Sequence, residues 1–435
     1  MALEDKPVKI TNEVKIRIWG DQSIDSVSKS ITDIIAAKAS TTEIIEAILS
    51  GSLSLGASDI HLEPEKNSTK IRFRLDGLLN DIGSIESSEY AYVVSRIKLL
   101  GGLKLNISEA AQDGRFTIFS DDDRTIEVRV SINPSENGET IVLRVLDPKT
   151  ISLSLDKVGF SKEDEEVVIK TLKRPNGMIL VTGPTGSGKT TTLYAFLQAV
   201  QNSEVKVITI EDPIEYHLEG IQQTQVDAKV GYDFGNGLRS LLRQDPDIIL
   251  VGEIRDLETA DIAMNASLTG HLVFSTLHTN SAAGAIPRLI DLGVKPQIIS
   301  PALNIIIAQR LVRRLCDNCK ERYTPEGEAK KKLEDFISSL PPRIDRSRYA
   351  DIALYRPKGC PECRKGYKGR IGIFELLEIT KDFEILIHKE TAAVELERAA
   401  IEKGFISLQQ DGILKSLSGI TDLDEVERIT GPIEW

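Results

Sequence analysis

Residues 178–197 read MILVTGPTGSGKTTTLYAFL. Met178–Val181 is a short apolar run of strand length. Gly183-Pro184-Thr185-Gly186-Ser187-Gly188-Lys189-Thr190 follows, with Thr191 next, and matches G-x-x-x-x-G-K-[ST]. Leu193, Phe196, Leu197 and Val200 then recur at the spacing of one helix face. Strand, glycine loop and helix in that order form the context of a phosphate-binding loop. Its glycines let backbone N–H groups turn inward around phosphate oxygens, and the helix N-terminus adds partial positive charge. Residues 183–191 are therefore expected to bind ATP. Lys189 is expected to reach the β and γ phosphates, and Thr190 to ligate Mg²⁺.

Such a loop needs acidic partners for metal and water. Asp245 to Glu253 reads DPDIILVGE, an apolar strand ending in an acid. The residue directly after the strand, where an aspartate usually ligates metal, is Gly252, and the acid follows at Glu253. That displacement favours contact with the metal through water. A second acidic group, Glu211-Asp212-Pro213-Ile214-Glu215, follows the apolar run Val207–Ile210. It falls at a strand's carboxyl end, where α/β sheets place ligands. Glu211, Glu215 and Glu253 are the candidates to orient the attacking water. His278, just after the run Leu272–Phe274, is a candidate sensor of the γ-phosphate.

Working outward, short apolar runs at 178–181, 207–210, 248–251 and 272–274 alternate with longer helical stretches. This alternation predicts a parallel sheet covered by helices. The preceding segment differs. Ile71-Arg72-Phe73-Arg74-Leu75 and Ile126-Glu127-Val128-Arg129-Val130 alternate with period two, and Asp76-Gly77 is a hairpin signal. An α+β domain is expected there, with Tyr92 to Leu100 as a helix. Gly51 to Ser58 reads as a connection. The expected division is an extended and helical segment (1–55), an α+β domain (56–148), an ATPase core (149–310), a cysteine segment (311–372) and a helical C-terminal part (373–435).

The chain has 435 residues, 41% hydrophobic and 28% charged, enough to bury several cores. Lys and Arg number 54 and Asp and Glu 66, a net charge of −12, which argues against a nucleic-acid coat protein. No apolar run approaches the ~18 residues of a membrane span, and the N-terminus MALEDKPVKI lacks the apolar stretch of a signal peptide. All four cysteines fall in two C-x-x-C pairs, Cys316/Cys319 and Cys360/Cys363. Two such pairs suit tetrahedral Zn²⁺ held by four thiolates, with no open position for catalysis. Zinc there would pin a segment unable to bury its own core. Around the pairs lie Arg310, Arg313, Arg314, Lys320, Arg322, Arg364, Lys365, Lys368 and Arg370, which either meet an acidic partner surface or anionic lipid, or only offset the thiolates.

Several strings together resemble the secretion ATPases of type II secretion and type IV pilus assembly. These are ASDIHLEP (57–64), QDGR (112–115), RVS (129–131), ITIEDPIEY (208–216), DPDIILVGEIRDLETA (245–260) and TGHLVFSTLHTNSA (269–282). The resemblance implies a RecA-like P-loop domain, preceded by an α+β, PAS-like domain and followed by a zinc segment and a helical part. It implies a homo-hexamer hydrolysing ATP at subunit interfaces, with N-terminal arginines completing the site. By motif match these are Arg115 and Arg129; Arg239 and Arg243, four apart on one helix face, are further candidates. Members with the tetracysteine segment drive assembly or export, whereas retraction motors lack it. The implied partners are an inner-membrane platform protein and other assembly components, with the motor in the cytoplasm at the membrane's inner face. Members usually carry a longer N-terminal docking region; about 50 residues precede ASDIHLEP here, which implies simplified docking, a different partner or a shortened chain. A RecA-like nucleic-acid translocase, such as a DNA-uptake motor, is the alternative. The acidic balance and the lack of aromatic residues between the basic ones count against it, so no nucleic acid is expected. A non-hydrolysing ATP-binding regulator is a third reading, opposed by the intact lysine and acidic groups.

Overall fold

The computed structural model describes residues 12–20, 23–150 and 154–435. It divides into two compact units, one formed by the N-terminal third with residues 361–364, the other by the remainder.

The N-terminal unit is built on a seven-stranded sheet in the order β1-β5-β6-β7-β2-β3-β4. Its strands are β1 (Glu13–Ile16), β2 (Asp59–Pro64), β3 (Ser68–Leu75), β4 (Leu78–Glu86), β5 (Gln112–Ser120), β6 (Thr125–Ser135) and β7 (Gly138–Leu146). β1 pairs parallel to β5, and the other neighbours are antiparallel. The period-two reading holds. Ile71, Phe73 and Leu75 of β3, and Ile126, Val128 and Val130 of β6, are buried, while the residues between them face outward. Asp76 (φ 50°) and Gly77 (φ 86°) turn the β3–β4 hairpin, and two positive φ values in succession are what a type I′ turn requires. The buried face is covered by α1 (Ile24–Ala36), α2 (Thr41–Ser54) and α3 (Ser87–Leu100).

One expectation fails in this unit. Gly51 to Ser54 are the last turn of α2, and Gly51, Ser52 and Leu53 are buried. A Cβ at Gly51 would lie 2.7 Å from Val27 Cγ1 and 3.2 Å from Ile31 Cδ1, so this glycine lets α1 and α2 approach closely. Its reading as a loop residue ignored that small residues also mark helix crossings.

The second unit is a seven-stranded sheet in the order β10-β9-β11-β12-β8-β13-β16. The strands are β8 (Gly177–Thr182), β9 (Val207–Glu211), β10 (Gln222–Gln225), β11 (Ile248–Val251), β12 (Leu272–Leu277), β13 (Leu303–Leu315) and β16 (Tyr367–Glu378), and a separate antiparallel pair is β14 (Glu321–Tyr323) with β15 (Leu354–Arg356). All neighbours in the large sheet are parallel except β13 and β16. Its central strands β8, β9, β11 and β12 are buried at every position and mostly apolar, because both faces are covered. Met178 and Leu180 enter one core, and Ile179 and Val181 the opposite one.

The helices of this unit are α4 (Leu155–Val158), α5 (Lys162–Leu172), α6 (Lys189–Val200), α7 (Phe234–Leu242), α8 (Leu257–Leu268), α9 (Ala285–Asp291), α10 (Pro296–Ala302), α11 (Gly327–Ser339), α12 (Lys381–His388), α13 (Ala393–Glu402), α14 (Leu408–Leu417) and α15 (Leu423–Thr430). β13 runs through residue 310, and β16 through residue 372, so the core, cysteine and C-terminal segments share one sheet rather than meeting at those positions.

α15 is tied to β13 by Glu425, 1% exposed, which accepts from Arg313 and Arg428. Burial pushes its carboxyl up, but the Arg428 and Arg313 guanidiniums outweigh this and hold it below its ordinary value. Its contribution is therefore present above the unfolded carboxyl value and lost as the pH falls through the folded one. Glu425→Ala strands two guanidiniums and is expected to cost about 3–5 kcal/mol, read as a lower denaturation midpoint at neutral pH. An unchanged midpoint would show the pair to be dispensable.

Candidate functional site

The phosphate-binding loop leaves the carboxyl end of β8 and enters α6 at Gly188, which has φ 89°. β13 lies directly behind it. A Cβ on Gly183 would fall 2.6 Å from Gln309 O and 2.6 Å from Ser187 Oγ, so only glycine fits there. Gln309 accepts the Thr192 hydroxyl at 2.8 Å and so holds the first turn of α6. Lys189 Nζ donates to Gly183 O at 2.9 Å and Pro184 O at 3.1 Å. Ser187 Oγ is buried with no hydrogen-bond partner. An orphaned hydroxyl, a lysine lying over the loop and a helix N-terminus fit a polyphosphate chelating Mg²⁺. Thr190 is exposed at the helix start.

Two neighbouring parallel strands, β11 and β12, each deliver one expected residue. Glu253 follows β11 and His278 follows β12, and their side chains meet at 3.5 Å between Nε2 and Oε2. Arg255 pairs with the same Glu253 and lies 3.8 Å from Asp212. Burial pulls the Lys189 ammonium below its ordinary value, against the opposing pull of the Glu253 carboxylate. His278 is also held below its ordinary value, first by desolvation and then by the Lys189 charge, which favours its neutral ring. A neutral imidazole beside a carboxylate and an ammonium is able to accept or donate one hydrogen bond as phosphate charge changes.

The other acidic candidates sit differently. Glu211, at the end of β9, is 3% exposed. It accepts from Thr209 at 2.5 Å, from the Tyr194 hydroxyl, and from Gln223 at 3.2 Å. Burial raises its carboxyl above the ordinary value. Glu215 is partly buried in the same group, beside Glu211 and Tyr194. Glu253 is thus the candidate carboxylate in electrostatic contact with Lys189. Tyr194 and Gln223 went unnoticed in the sequence, because a helix tyrosine and a strand glutamine carry no motif.

The arginines occupy two places. In the N-terminal unit Arg115 and Arg129 are direct cross-strand partners on β5 and β6, and the same row continues through Arg144 and Asp59 to Arg74. Asp59 balances Arg144 at 3.1 Å and Arg74 at 3.4 Å. Directly opposed like charges on a sheet repel, and Arg129 is met by Glu127 at 3.8 Å. On α7, Arg239 is paired with Glu258 of α8 at 2.5 Å, and Arg243 donates to Arg239 O at 3.0 Å.

The four cysteine sulfurs lie within 4.8 Å of one another, with Cys316 and Cys360 Sγ 3.9 Å apart. That exceeds the ~2.05 Å of a disulfide. It matches the ~3.8 Å edge of a tetrahedron with Zn–S near 2.3 Å. The donor set and spacing therefore fit zinc. Much of the surrounding basic charge is already neutralised: Arg314 and Lys320 meet Asp317, Arg322 meets Asp351, and Arg313 meets Glu425. No helix among the described residues is long and apolar enough to cross a membrane.

Comparison with known proteins agrees with this geometry. The family model described as type II/IV secretion system protein matches residues 35–428. The chain is 47% identical over 388 residues to the type II secretion system protein E of Pseudomonas aeruginosa, covering 89% of this chain and 75% of that one. It is 39% identical over 410 residues to the type IV pilus assembly ATPase PilB of the same organism, covering 94% and 71%. Among solved structures, the pilus retraction motor PilT with bound ADP superposes with a TM-score of 0.57 at 26% identity, covering 88% of this chain and 95% of that one. The Legionella pneumophila ATPase DotB superposes with a TM-score of 0.64 at 21% identity, covering 89% and 95%, which bears on the fold alone.

Proposed function

The chain belongs to the type II/IV secretion system protein family and is an ATP hydrolase, and from that premise we propose that it is a hexameric motor powering pilin or pseudopilin assembly. It would work in the cytoplasm, at the inner face of the membrane, on an inner-membrane platform protein. The observation that carries this reading is the gathering of Lys189, at the start of α6, with Glu253 and His278, just past the ends of neighbouring strands. The similarity to both secretion and pilus-assembly ATPases, with the paired cysteines, supports assembly or export over retraction.

In this mechanism residues 183–191 hold the phosphates of ATP, with Lys189 leaving its loop carbonyls for the β and γ phosphates. Thr190 would hold Mg²⁺, which would supply positive charge against the phosphate oxygens. Glu253 orients the attacking water and takes its proton, after Arg255 has released one carboxylate oxygen. His278 stays neutral and bonds the γ-phosphate oxygens as they shift. Arg115 and Arg129, with Arg239 and Arg243, are the proposed cationic groups that close over the nucleotide, since an always-charged planar fork stabilises spreading phosphate charge. The four cysteines would hold zinc as a structural clip.

Glu253→Gln tests the assignment. It keeps the shape and removes the base, so turnover is expected to fall about 10²–10⁴-fold while ATP binding persists. Glu211→Gln, altering a carboxylate committed to Tyr194, Thr209 and Gln223, is expected to lose less. The reverse order would move the base to Glu211. Turnover is expected to be insensitive to duplex DNA; stimulation with steep salt dependence would restore the translocase reading.

A further inference from the structure

His278 lies at the start of an irregular segment, residues 278–282, whose course is set from three strands. Thr182, the last residue of β8, accepts the Thr279 N–H at 2.9 Å, and the two hydroxyls lie 2.7 Å apart. Arg310 on β13 donates through Nη2 to Asn280 O at 2.9 Å and to Asn280 Oδ1 at 3.3 Å. Glu375 on β16 accepts the Ala282 N–H at 2.5 Å through one oxygen and the Leu408 N–H at 3.3 Å through the other. In the β13–β16 ladder Ala308 opposes Glu375 and Arg310 opposes Ile373. Arg310 and Glu375 therefore project from the same face as a diagonal pair, because residues two apart on a strand share a face. Gln309 between them projects to the other face, where it holds Thr192.

We propose that Arg310 and Glu375 are positioning residues for ATP hydrolysis, holding the backbone of residues 280–282 so that the His278 ring stays beside Glu253 and Lys189. The proposal rests on the reading of His278 as part of the nucleotide site. Its chemistry is specific. A carboxylate that is 5% exposed, with two backbone N–H groups on its two oxygens, is a site only an acceptor-only group satisfies. A glutamine there turns an N–H₂ toward one of those donors and loses a bond. Arg310, whose other contact is Gln309 O at 2.9 Å, fixes the carbonyl two residues before Ala282. Burial pushes the Glu375 carboxyl up to about 7; Glu397 on α13 adds to this and Arg310 on β13 opposes it. The restraint therefore weakens as the carboxylate protonates.

The test is steady-state ATP turnover by the full chain carrying R310A, R310K, E375Q, H278A or R310A with H278A. A shift of an ångström in a reacting group costs up to about 10²-fold. R310A and E375Q are expected to lower kcat about tenfold or more with the KM for ATP within about twofold, and R310K to recover most of the loss. In the H278A background R310A is expected to cost less than about twofold further, because there is no longer a ring to position. Full additivity of R310A and H278A overturns the proposal while leaving the site reading intact. H278A turning over at the wild-type rate removes the site reading and the proposal with it. If E375Q fails to fold, the arginine series decides alone, and wild-type kcat in R310A overturns the proposal.

Discussion

Lys189→Ala is expected to lower ATP turnover by about 10³-fold or more, the scale on which a lost cationic clamp on a transferring phosphoryl group acts. The geometry explains why no neighbour substitutes. Lys189 Nζ is the ammonium held over the loop, bonded to Gly183 O and Pro184 O at 2.9 and 3.1 Å. The adjacent cations are committed elsewhere: Arg310 to Asn280 and Gln309 O, Arg255 to Glu253 and Asp212. The substitution leaves Gln309 on Thr192 and the strand behind the loop in place, so the melting temperature and zinc content are expected to stay at wild-type values. Turnover within tenfold of wild type in that variant would place the phosphate site elsewhere.

Replacing Cys316 and Cys319 with serine is expected to reduce bound zinc from one per chain to none and to expose residues 321–358 to proteolysis. A structural zinc–thiolate site contributes on the order of 10–16 kcal/mol of apparent binding free energy at neutral pH, more than most whole domains retain on folding. The segment it would hold is poor in other restraints. β14 and β15 are three residues each, and among the described residues the two apolar clusters there have only four buried members each. Two backbone bonds shape the first cysteine turn, Cys319 N–H and Lys320 N–H to Cys316 O at 3.2 and 2.9 Å. With serines there, no metal ties that turn to Cys360 and Cys363. Elemental analysis with limited proteolysis of the purified chain measures both effects. An unchanged digestion pattern in a zinc-free variant would show that the apolar clusters suffice.

Much of the candidate site was legible because its signals are local. A glycine loop needs its glycines in a fixed order, and an apolar run followed by an acid marks a strand end wherever the strand lies in the sheet. The acid that faces Lys189 was not legible. Glu211 and Glu253 follow equivalent apolar runs, but Tyr194 and Gln223 engage one and leave the other beside His278. The sharing of β13 and β16 between the core and the cysteine segment was also hidden, since β13 reads as an apolar run that turns basic near Arg310.

The sequence by itself determined the phosphate loop, the alternation of strands and helices around it, the two-sided burial of the central strands and the pairing of four cysteines. Each follows from residues adjacent in the chain or repeating at the period of one element. Tertiary structure alone decided which carboxylate meets the lysine, that Gly51 is a helix contact, and that Arg310 and Glu375 hold one segment from neighbouring strands. The reason is physical. A hydrogen bond between residues 93 apart, as between Glu375 and Ala282, leaves no trace in local periodicity. It exists only because an antiparallel strand is laid beside a parallel one and carries a buried carboxylate to the end of a loop.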